Sequence, residues 1–310
     1  MTALIKKSLE SGPLIVTGSR GRLASILSDE FERAGSDVVR VSRTGGRDHI
    51  LYDDLLQSGL LGRGGAVLHF AWSSVPATAE RKPERAWTDD LPLLARILAE
   101  AAKAPAEARP LILFFSSGGT VYGERQTPAT EDDPLAPVGW YGVGKVAAES
   151  LLADFSGHAG LEICTLRVSN PYGFPFSPDK PQGIIGAAVH AIQTGRPLAL
   201  AGGGGSRKDF LHMHDLWLAV AACVNARLTG TFNICSGTSV TMNHIIDLVE
   251  SASGREVPRH PTPSASWDVQ SSLLSRRKFT EATGWEPAIS LPEGVASVVR
   301  SALATGGGQP

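Results

Sequence analysis

Short apolar runs alternate with amphipathic, helix-like stretches through the first half of the chain, and this alternation limits the fold more than any other feature. The spacing predicts strands at residues 14–16, 38–41, 67–70, 111–115 and 163–168. Strands that are separated by helices pair in parallel and are covered by helices on both faces of the sheet. We therefore predict an α/β protein with a Rossmann-type doubly wound parallel sheet.

The second half of the chain contains more proline and glycine segments that interrupt helices and strands. Prolines stand at residues 175, 178 and 181, a glycine run covers 202–205, and a proline-rich stretch covers 258–263. Segments of this kind form loops. We predict a first domain over residues 1–173 and a smaller C-terminal α/β domain, mainly for substrate binding, over residues 174–310. A late strand at residues 230–235 is expected to return to the first sheet.

The composition excludes several classes of function. The 310 residues carry a formal net charge of -2 and show no stripe of Lys and Arg with interleaved aromatic residues, so nucleic-acid binding is not expected. No apolar run approaches the roughly 20 residues that cross a bilayer, and the N-terminus lacks a signal segment. We expect a cytoplasmic protein with a small-molecule partner. Its 3 cysteines are widely spaced, so neither a disulfide nor a metal site is predicted.

A glycine-rich turn follows the first predicted strand directly. Residues 17–24 read TGSRGRLA, a TGxxGxxA pattern that opens a helix. Gly18 permits the tight turn, and Gly21 lets the backbone approach a pyrophosphate at the positive end of the helix. The turn therefore predicts a dinucleotide site, formed by Gly18, Ser19, Arg20, Gly21, Arg22 and Leu23.

The end of the second predicted strand bears on the choice of dinucleotide. A fold that prefers NAD usually has an acidic residue there, which binds the ribose hydroxyls of the adenosine. This chain has Arg43 and no carboxylate, and Arg20 supplies a second cation in the glycine turn. Arginine pairs well with a phosphate group, so NADP stands as an alternative to NAD.

Hydroxyl groups and a Tyr-Lys pair mark a candidate catalytic centre. Ser117 and Thr120 follow the fourth predicted strand, at the edge where open α/β sheets bind ligands. Tyr141 and Lys145 are four residues apart at the start of a predicted helix, which places them on one face. An ammonium group beside a phenol lowers the pKa of the phenol, as hydride chemistry on an alcohol requires.

These motifs together resemble the extended short-chain dehydrogenase/reductases, and in particular the epimerase/dehydratase group similar to bacterial UDP-glucose 4-epimerases. The resemblance covers nearly the whole chain. Besides the glycine turn and YxxxK, the similar segments in chain order are Asp54-Leu55, His69-Phe70-Ala71, SSGGTVYG at 116–123, LRVSNPYG at 166–173, KDFLH at 208–212 and GWEP at 284–287. Dispersed matches in the same order are more specific than any single motif.

The resemblance implies further contacts and an assembly. The implied contacts are Asp54 and Leu55 for the adenine, Phe70 and Ala71 for the rest of the cofactor, and Asn170, Gln182, Gly183 and Lys208 for the substrate. Similar proteins dimerise through the helix at 87–102 and the Tyr141 helix. A homodimer is therefore expected, with the apolar spacing of Leu91, Leu94, Ile97 and Leu98 suited to its buried face.

Some positions near the catalytic centre depart from the family pattern. Gly118 stands where many relatives carry the catalytic Ser or Thr, so Thr120 is predicted to supply that hydroxyl, with Ser117 as second choice. Dehydratases of the family have Thr-Asp-Glu at this strand end, and their absence here argues against dehydration. Asp90 stands where Asn is common, and we predict no role for it.

Other departures concern the substrate phosphates. Ala265 stands where relatives carry an arginine that binds the diphosphate, and Lys208 replaces a second family arginine. Lysine is a point charge without the planar fork of arginine. Arg207 is therefore the candidate that compensates for both replacements.

The resemblance predicts a nucleotide-sugar epimerase that acts at C4 through a transient 4-keto intermediate, with tightly bound NAD or NADP. Tyr141 would exchange the proton of the hydroxyl, and Lys145 would hold the nicotinamide ribose. An NADPH-dependent nucleotide-ketosugar reductase is the alternative enzyme, kept open by Arg43 and the missing acidic residue. A catalytically silent NADP-binding sensor is the alternative outside enzymes, because a fold does not determine a function.

Overall fold

The computed structural model describes residues 12–174 and 183–306. These residues form two compact units, each assembled from several stretches of the chain. The first unit contains residues 12–117, 135–167 and 217–232, and the second contains residues 118–134, 168–174, 183–216 and 233–306. The chain first enters the second unit at Gly118, whereas the sequence analysis placed one main boundary after residue 173.

A seven-stranded sheet forms the centre of the first unit. Its strands, numbered along the chain, are β1 (Leu14–Thr17), β2 (Val38–Ser42), β3 (Ile50–Leu51), β4 (Ala66–His69), β5 (Leu111–Ser117), β6 (Ile163–Val168) and β10 (Gly230–Ile234). Their order in space is β10-β6-β5-β4-β1-β2-β3. β1 pairs in parallel with β2 and β4, β2 pairs in parallel with β3, and β4 with β5. The predicted α/β fold with a doubly wound parallel sheet is confirmed.

Helices connect these strands. They are α1 (Arg22–Arg33), α2 (Tyr52–Gln57), α3 (Pro76–Ala79), α4 (Leu91–Ala102), α5 (Gly118–Val121) and α6 (Gly139–Ala159). A π-helical turn at Ala86–Asp90 runs directly into α4. α1 has apolar residues at helical spacing, and Ala24, Leu27 and Phe31 bury that face.

The apolar stripe of α4 is buried within the chain itself. Leu94, Ile97 and Leu98 have no exposed surface and belong to one core with strand residues such as Ile15 and Phe114. From its spacing alone, this stripe is expected to form the buried face of a dimer interface. That interpretation is wrong for these three residues, because their own sheet already covers them.

Short strands and amphipathic helices build the second unit. One sheet has the order β11-β9-β7, from β7 (Asn170–Tyr172), β9 (Arg207–His212) and β11 (Ser239–Thr241), and a second pairs β8 (Leu198–Ala201) with β12 (Arg259–Thr262). The helices here are α7 (Gly183–Thr194), α9 (Met242–Ser253), α10 (Arg277–Thr283) and α11 (Leu291–Gly306), while α8 (Met213–Ala226) continues into the first unit. α7, α9 and α11 share an apolar core that includes Val189, Ile246 and Val299.

Two properties concern the described ranges as a whole. Within residues 12–174 and 183–306, no helix has both the length and the apolar character to cross a membrane. The same residues contain no cluster of three His, Cys, Asp or Glu arranged to hold a metal ion. Cys164, Cys223 and Cys235 are buried free thiols.

Candidate active site

The glycine turn lies between β1 and α1, against the end of β4. Gly18 has a φ of +67°, and a Cβ built on it would lie 2.8 Å from the backbone nitrogen of Ala71. The position therefore requires glycine for both its conformation and its close contact. Two hydrogen bonds hold the turn: Gly18 N donates to Tyr52 Oη (3.0 Å), and Ser19 Oγ donates to the carbonyl of Val41 (2.9 Å).

The amino end of α1 is suited to binding an anion. The helix begins at Arg22 with Gly21 as its cap, and no side chain hydrogen-bonds the cap. A Cβ on Gly21 would lie 3.1 Å from the carbonyl oxygen of Gly18, so this glycine also avoids a tight contact. N–H groups at the first turn and the helix dipole favour a phosphate group there. The geometry fits the dinucleotide turn that the sequence predicts.

Arg20 holds the loop after β2. Its Nε donates to Ser42 Oγ (3.3 Å) and to the carbonyl of Thr44 (3.2 Å), and its Nη2 donates to the carbonyl of Gly45 (3.1 Å). Arg43 lies in the same loop with its side chain exposed. The loop that follows β2 is therefore tied to Arg20 of the glycine turn and carries an exposed arginine of its own.

The other residues predicted for the cofactor differ in exposure. The Phe70 ring stacks on the Phe115 ring with centroids 3.7 Å apart, and Ala71 is buried beside the glycine turn. Asp54 accepts a backbone hydrogen bond in the first turn of α2. Leu55 has no exposed surface and packs in the core. The adenine contacts of Asp54 and Leu55 stay predictions.

α6 carries Tyr141 and Lys145 one turn apart. Lys145 is buried, and its Nζ donates to the carbonyl of Phe115 (2.8 Å). The ammonium also faces three rings, at 4.0 Å from the centroid of Trp72, 4.7 Å from that of Phe114 and 5.7 Å from that of Tyr141. The structure therefore brings the predicted pair together.

Desolvation dominates the pKa values of this pair. Burial raises the pKa of Tyr141 to about 12, and the carboxylate of Asp90 adds to the rise. Burial lowers the pKa of Lys145 to about 7, against the opposing effects of Asp90 and Glu149. The YxxxK spacing predicts that the ammonium lowers the pKa of the tyrosine. In this structure the direction is the opposite, because the cost of burying a phenolate outweighs the nearby positive charge.

Glu149, one turn after Lys145, joins α6 to two strands. Ser116 Oγ on β5 donates to Glu149 Oε1 (2.5 Å), and Arg167 on β6 donates to Glu149 Oε2 (2.7 Å). A carboxylate that accepts bonds from both strands fixes the helix in register with the sheet. Lys145, on the same helix, adds its own bond to the carbonyl of Phe115 on β5.

The predicted catalytic hydroxyls lie where β5 gives way to α5. Ser117 is the last residue of β5, and Thr120 lies in α5. In the second unit, a Cβ on Gly119 would lie 3.7 Å from Asn170 Nδ2, so α5 and Asn170 are neighbours. Asn170 Nδ2 also donates to the carbonyl of Asp209 (2.9 Å) and thereby joins β7 to β9.

Both cations predicted for the substrate phosphates have partners within the second unit. Lys208 Nζ donates to Asp268 Oδ1 (2.8 Å) and to the carbonyl of Val269. Arg207 Nη2 donates to the carbonyl of Ser239 (2.6 Å). A phosphate contact by either residue would therefore require it to exchange or share these bonds, and both contacts stay predictions.

The two predicted pocket residues stand at the start of α7. Gly183 is the first residue of this helix, with a φ of +69°. A Cβ built on it would meet no heavy atom of the described residues within 4 Å. Gln182 lies outside the described residues.

Three side chains near the pair were not predicted from the sequence. Tyr52 bonds to the glycine turn from 34 residues away, and Trp72 faces the ammonium of Lys145. Asp90 accepts hydrogen bonds from Ser73 N (2.8 Å) and Ser73 Oγ (3.0 Å). One signal was available, because Trp72 and Ser73 directly follow His69-Phe70-Ala71 at the ligand-binding edge of the sheet.

The parallel sheet, the glycine turn after its first strand and the Tyr141-Lys145 pair define a dinucleotide-binding enzyme of the short-chain dehydrogenase/reductase class. The chain belongs to the NAD dependent epimerase/dehydratase family, whose model matches residues 14–235. Its cofactor is therefore NAD or NADP.

Similar proteins include both an epimerase and a reductase. The chain is 30% identical over 191 residues to the dTDP-4-dehydro-6-deoxyglucose reductase of Escherichia coli, a match that covers 61% of this chain and 60% of that enzyme. It is 26% identical over 307 residues to the UDP-glucose 4-epimerase of Mycolicibacterium smegmatis, covering 92% of this chain and 96% of that enzyme. The crystal structure of the Thermotoga maritima UDP-glucose 4-epimerase with UDP-glucose aligns with a TM-score of 0.84 and 25% identity, over 94% of this chain and 99% of that one.

Proposed function

We propose that this chain is a nucleotide-sugar epimerase that inverts C4 of the sugar. The observation that carries the proposal is the Tyr141-Lys145 pair, held on one turn of α6 in the same unit as the glycine turn. The similarity to UDP-glucose 4-epimerases over nearly the full chain supports this reaction over others of the class. UDP-hexoses are accordingly the first substrates to test.

The residues of the first unit fit a dinucleotide. The glycine turn leaves room for a phosphate at the amino end of α1, where Ser19, Arg22 and Leu23 supply backbone groups, and Phe70 and Ala71 lie at the neighbouring strand end. Lys145 would donate to the nicotinamide ribose, a bond for which its ammonium must leave or share the carbonyl of Phe115. The bound dinucleotide would supply the hydride acceptor for the oxidation of the sugar and the hydride donor for its reduction.

The chain itself supplies the proton chemistry. Tyr141 accepts the proton of the C4 hydroxyl as the alcohol is oxidised and returns it when the 4-keto sugar is reduced on its other face. A phenolate is costly at this buried position, so the positive charge of Lys145 and of an oxidised nicotinamide would have to offset burial. Thr120 would hydrogen-bond the reacting oxygen, with Ser117 as the second candidate.

The second unit would hold the nucleotide part of the substrate. Asn170, beside α5, would donate its amide to a diphosphate while keeping its bond to the carbonyl of Asp209. Lys208 and Arg207 on β9 would supply positive charge to the phosphates. Gly183, the first residue of α7, and Gln182 before it in the sequence would line the nucleotide pocket. A diphosphate that draws Lys208 from Asp268 would replace one anionic partner with another.

We propose NADP as the preferred dinucleotide. Arg43 is exposed in the loop after β2, and Arg20 is tethered beside it with no carboxylate on β2. A guanidinium pair suits a 2′-phosphate, whereas an acidic residue would suit a free ribose hydroxyl. Arg43→Glu should weaken NADP binding at least tenfold relative to NAD, as measured by titration calorimetry. Arg47→Glu, another exposed arginine of this loop, is the matched control.

A reductase is the second candidate function. Its support is the 30% identity to the Escherichia coli reductase together with the arginines that favour a phosphorylated cofactor. A reductase would consume NADPH stoichiometrically with a keto-sugar, whereas an epimerase shows no net cofactor turnover. Both reactions would use Tyr141 and Lys145, so net consumption of the cofactor is what separates them.

We further propose that two copies of the chain associate through the outer faces of α4 and α6. The two helices pack against each other, and Leu93 on α4 and Leu151 on α6 are only partly buried. Two helices with partly exposed apolar residues can form a four-helix bundle with the same two helices of a second copy. Leu93→Glu combined with Leu151→Glu should convert a dimer to a monomer in light scattering, and a monomeric parent protein would refute the proposal.

The deciding experiment is a product assay with purified protein. UDP-glucose, UDP-galactose and their N-acetyl forms are incubated with and without added NAD or NADPH, and sugar products and reduced-cofactor absorbance are followed together. Interconversion of C4 epimers without net change in reduced cofactor is the expected result, and Tyr141→Phe should abolish it. Steady NADPH loss only with a keto-sugar would establish the reductase instead.

A further inference from the structure

Trp72 and Gly144 fit each other on the face of α6 that carries the catalytic pair. A Cβ on Gly144 would lie 3.1 Å from Trp72 Cζ2 and 2.9 Å from the Cβ of Ala86. Glycine at this position therefore makes room for the indole between α6 and the π-helical turn. Glycine in the interior of a helix lowers the stability of the helix. The packing of the Trp72 indole must offset this loss.

The indole that Gly144 admits lies directly against the charge of Lys145. The ammonium is 4.0 Å from the Trp72 centroid, closer than to the ring of Phe114 or Tyr141. An ammonium at this distance from an indole is attracted by the ring quadrupole, and the attraction is strongest in buried surroundings. Trp72 thus fixes where the Lys145 ammonium lies within its buried site.

A buried carboxylate supplies the opposite charge. Asp90 ends the π-helical turn and is 4% exposed, with both carboxylate oxygens bound by Ser73. Ser73 directly follows Trp72, so the indole and the carboxylate are held by one short segment after β4. Asp90 raises the pKa of Lys145 against the dominant effect of burial, and it also raises the pKa of Tyr141.

Among the described residues, none of the other ionisable groups that face Lys145 is a free counter-charge for its ammonium. Glu149 also raises the pKa of Lys145, but its carboxylate is paired with Arg167. His69 on β4 is fully buried, and burial followed by the charge of Lys145 lowers its pKa to about 3, so it is neutral at ordinary pH. Tyr141 is the remaining group, and it is the reaction partner itself.

We propose that Trp72 and Asp90 are positioning residues for Lys145: the indole face seats the ammonium, and the Asp90 carboxylate supplies its counter-charge within the buried site. The inference rests on the proposed function, in which Lys145 assists Tyr141. The arrangement combines Trp72, the glycine that admits it and an aspartate that stands where similar proteins often have Asn.

The charge part is tested with Asp90→Asn, which removes the charge and keeps one acceptor oxygen for Ser73 N, while its amide nitrogen can donate to Ser73 Oγ. Asp89→Asn, at the exposed neighbouring position, is the matched control. Formation of the Tyr141 phenolate is followed by its absorbance near 295 nm in cofactor-loaded protein. The titration of the same variant with Tyr141→Phe added is subtracted, because Asp90 also affects the pKa of Tyr52. Because Asp90 raises the pKa of Lys145, we expect the Lys145 ammonium to lose its proton at lower pH in Asp90→Asn only, which moves the pH profile of kcat to lower pH. The phenolate of Tyr141 should also form at lower pH in this variant, because Asp90 raises the pKa of Tyr141 as well. Identical titrations in both variants would refute this part.

The seating part is tested with Trp72→Leu and Trp72→Phe, with Trp87→Phe at an exposed site as control. Trp72→Leu should lower kcat by about tenfold or more, and Trp72→Phe by less because it keeps a ring. Gly144→Ala, which displaces the indole without removing it, should reproduce the loss while thermal melting shows a folded protein. If the phenolate titration shifts but no epimer forms, the positioning stands and the proposed reaction fails. If epimers form and all variants match the parent enzyme, the positioning fails alone.

Discussion

The guanidinium of Arg167 lies 2.7 Å from the carboxylate of Glu149, and each side chain is only 8% exposed. This buried ion pair joins β6 to α6, the helix that carries Tyr141 and Lys145. Ser116 on β5 adds a third bond to the same carboxylate. The attachment of Tyr141 and Lys145 to the sheet therefore depends on Arg167, which belongs to the LRVSNPYG segment, and on Glu149, which none of the motifs includes.

Breaking this pair should be strongly destabilising. Arg167→Met leaves the Glu149 carboxylate buried without its counter-charge, and we expect a loss of about 3–5 kcal/mol in the free energy of unfolding. Urea denaturation measures it. Asp53→Asn, which breaks the exposed pair with Arg96, should cost less than about 1 kcal/mol. Equal losses for the two variants would show that Glu149 is not effectively buried.

Gly18 should resist replacement more than a glycine of the same conformation elsewhere. Gly18→Ala adds a Cβ 2.8 Å from Ala71 N at a φ of +67°, so both strain and overlap arise, and dinucleotide affinity should fall at least tenfold. Gly59→Ala is the matched control, because Gly59 has a φ of +71° but nothing within 4 Å of its Cβ. Titration of the cofactor compares them. Equal affinities for the two variants would contradict a role for the close approach at Gly18.

His69 should make the folded state sensitive to acid. Burial, and then the charge of Lys145, lowers its pKa from 6.5 to about 3. The folded chain therefore binds this proton less tightly than the unfolded chain. The resulting stability is fully present above pH 6.5 and is lost as the pH falls from 6.5 towards 3, by up to about 1.4 kcal/mol per unit.

The measurement for His69 is urea unfolding across that pH window. His69→Asn retains a polar group for Thr17 but does not titrate, so its stability should fall less steeply with acid. His158→Asn changes a side chain that is 83% exposed and serves as control. A His69→Asn variant with the same acid dependence as the parent protein would assign the effect to other groups.

The catalytic hydroxyl is tested by removing it without changing shape. Thr120→Val should lower kcat about 100-fold with dinucleotide binding unchanged, because a hydrogen bond to the reacting oxygen is lost. Thr120→Ser should restore most of the rate. Ser117→Ala separates the alternatives: if it causes the larger loss, the hydroxyl at the end of β5 is the catalytic one.

Much of the fold could be predicted because the sheet has a repeated sequence pattern. Strand β6 has the predicted bounds, and β1, β2, β4 and β5 differ from prediction by one or two residues at an end. The apolar stripe of α4 shows the limit of this reasoning. Helical spacing identifies a buried face but does not say what buries it, and Leu94, Ile97 and Leu98 are covered by their own core.

The site could be predicted less completely, since its electrostatics depend on burial and on distant residues. YxxxK places Tyr141 beside Lys145, but the direction of the tyrosine pKa follows from desolvation and from Asp90. Asp209 is a second case. The KDFLH segment resembles a substrate motif, yet the Asp209 carboxylate is fully buried and accepts bonds from Ser236 and Gly237. Such partners are close in space only after folding.

The place of β10 beside β6 has a consequence for synthesis on the ribosome. β6 ends at residue 168, and its outer neighbour begins at residue 230. At usual elongation rates the nascent chain therefore carries an open strand edge for roughly 3 to 12 s before its partner exists. An open edge is a template for pairing with other chains. Slow translation between these strands should thus raise aggregation of the newborn protein without changing the stability of the finished one.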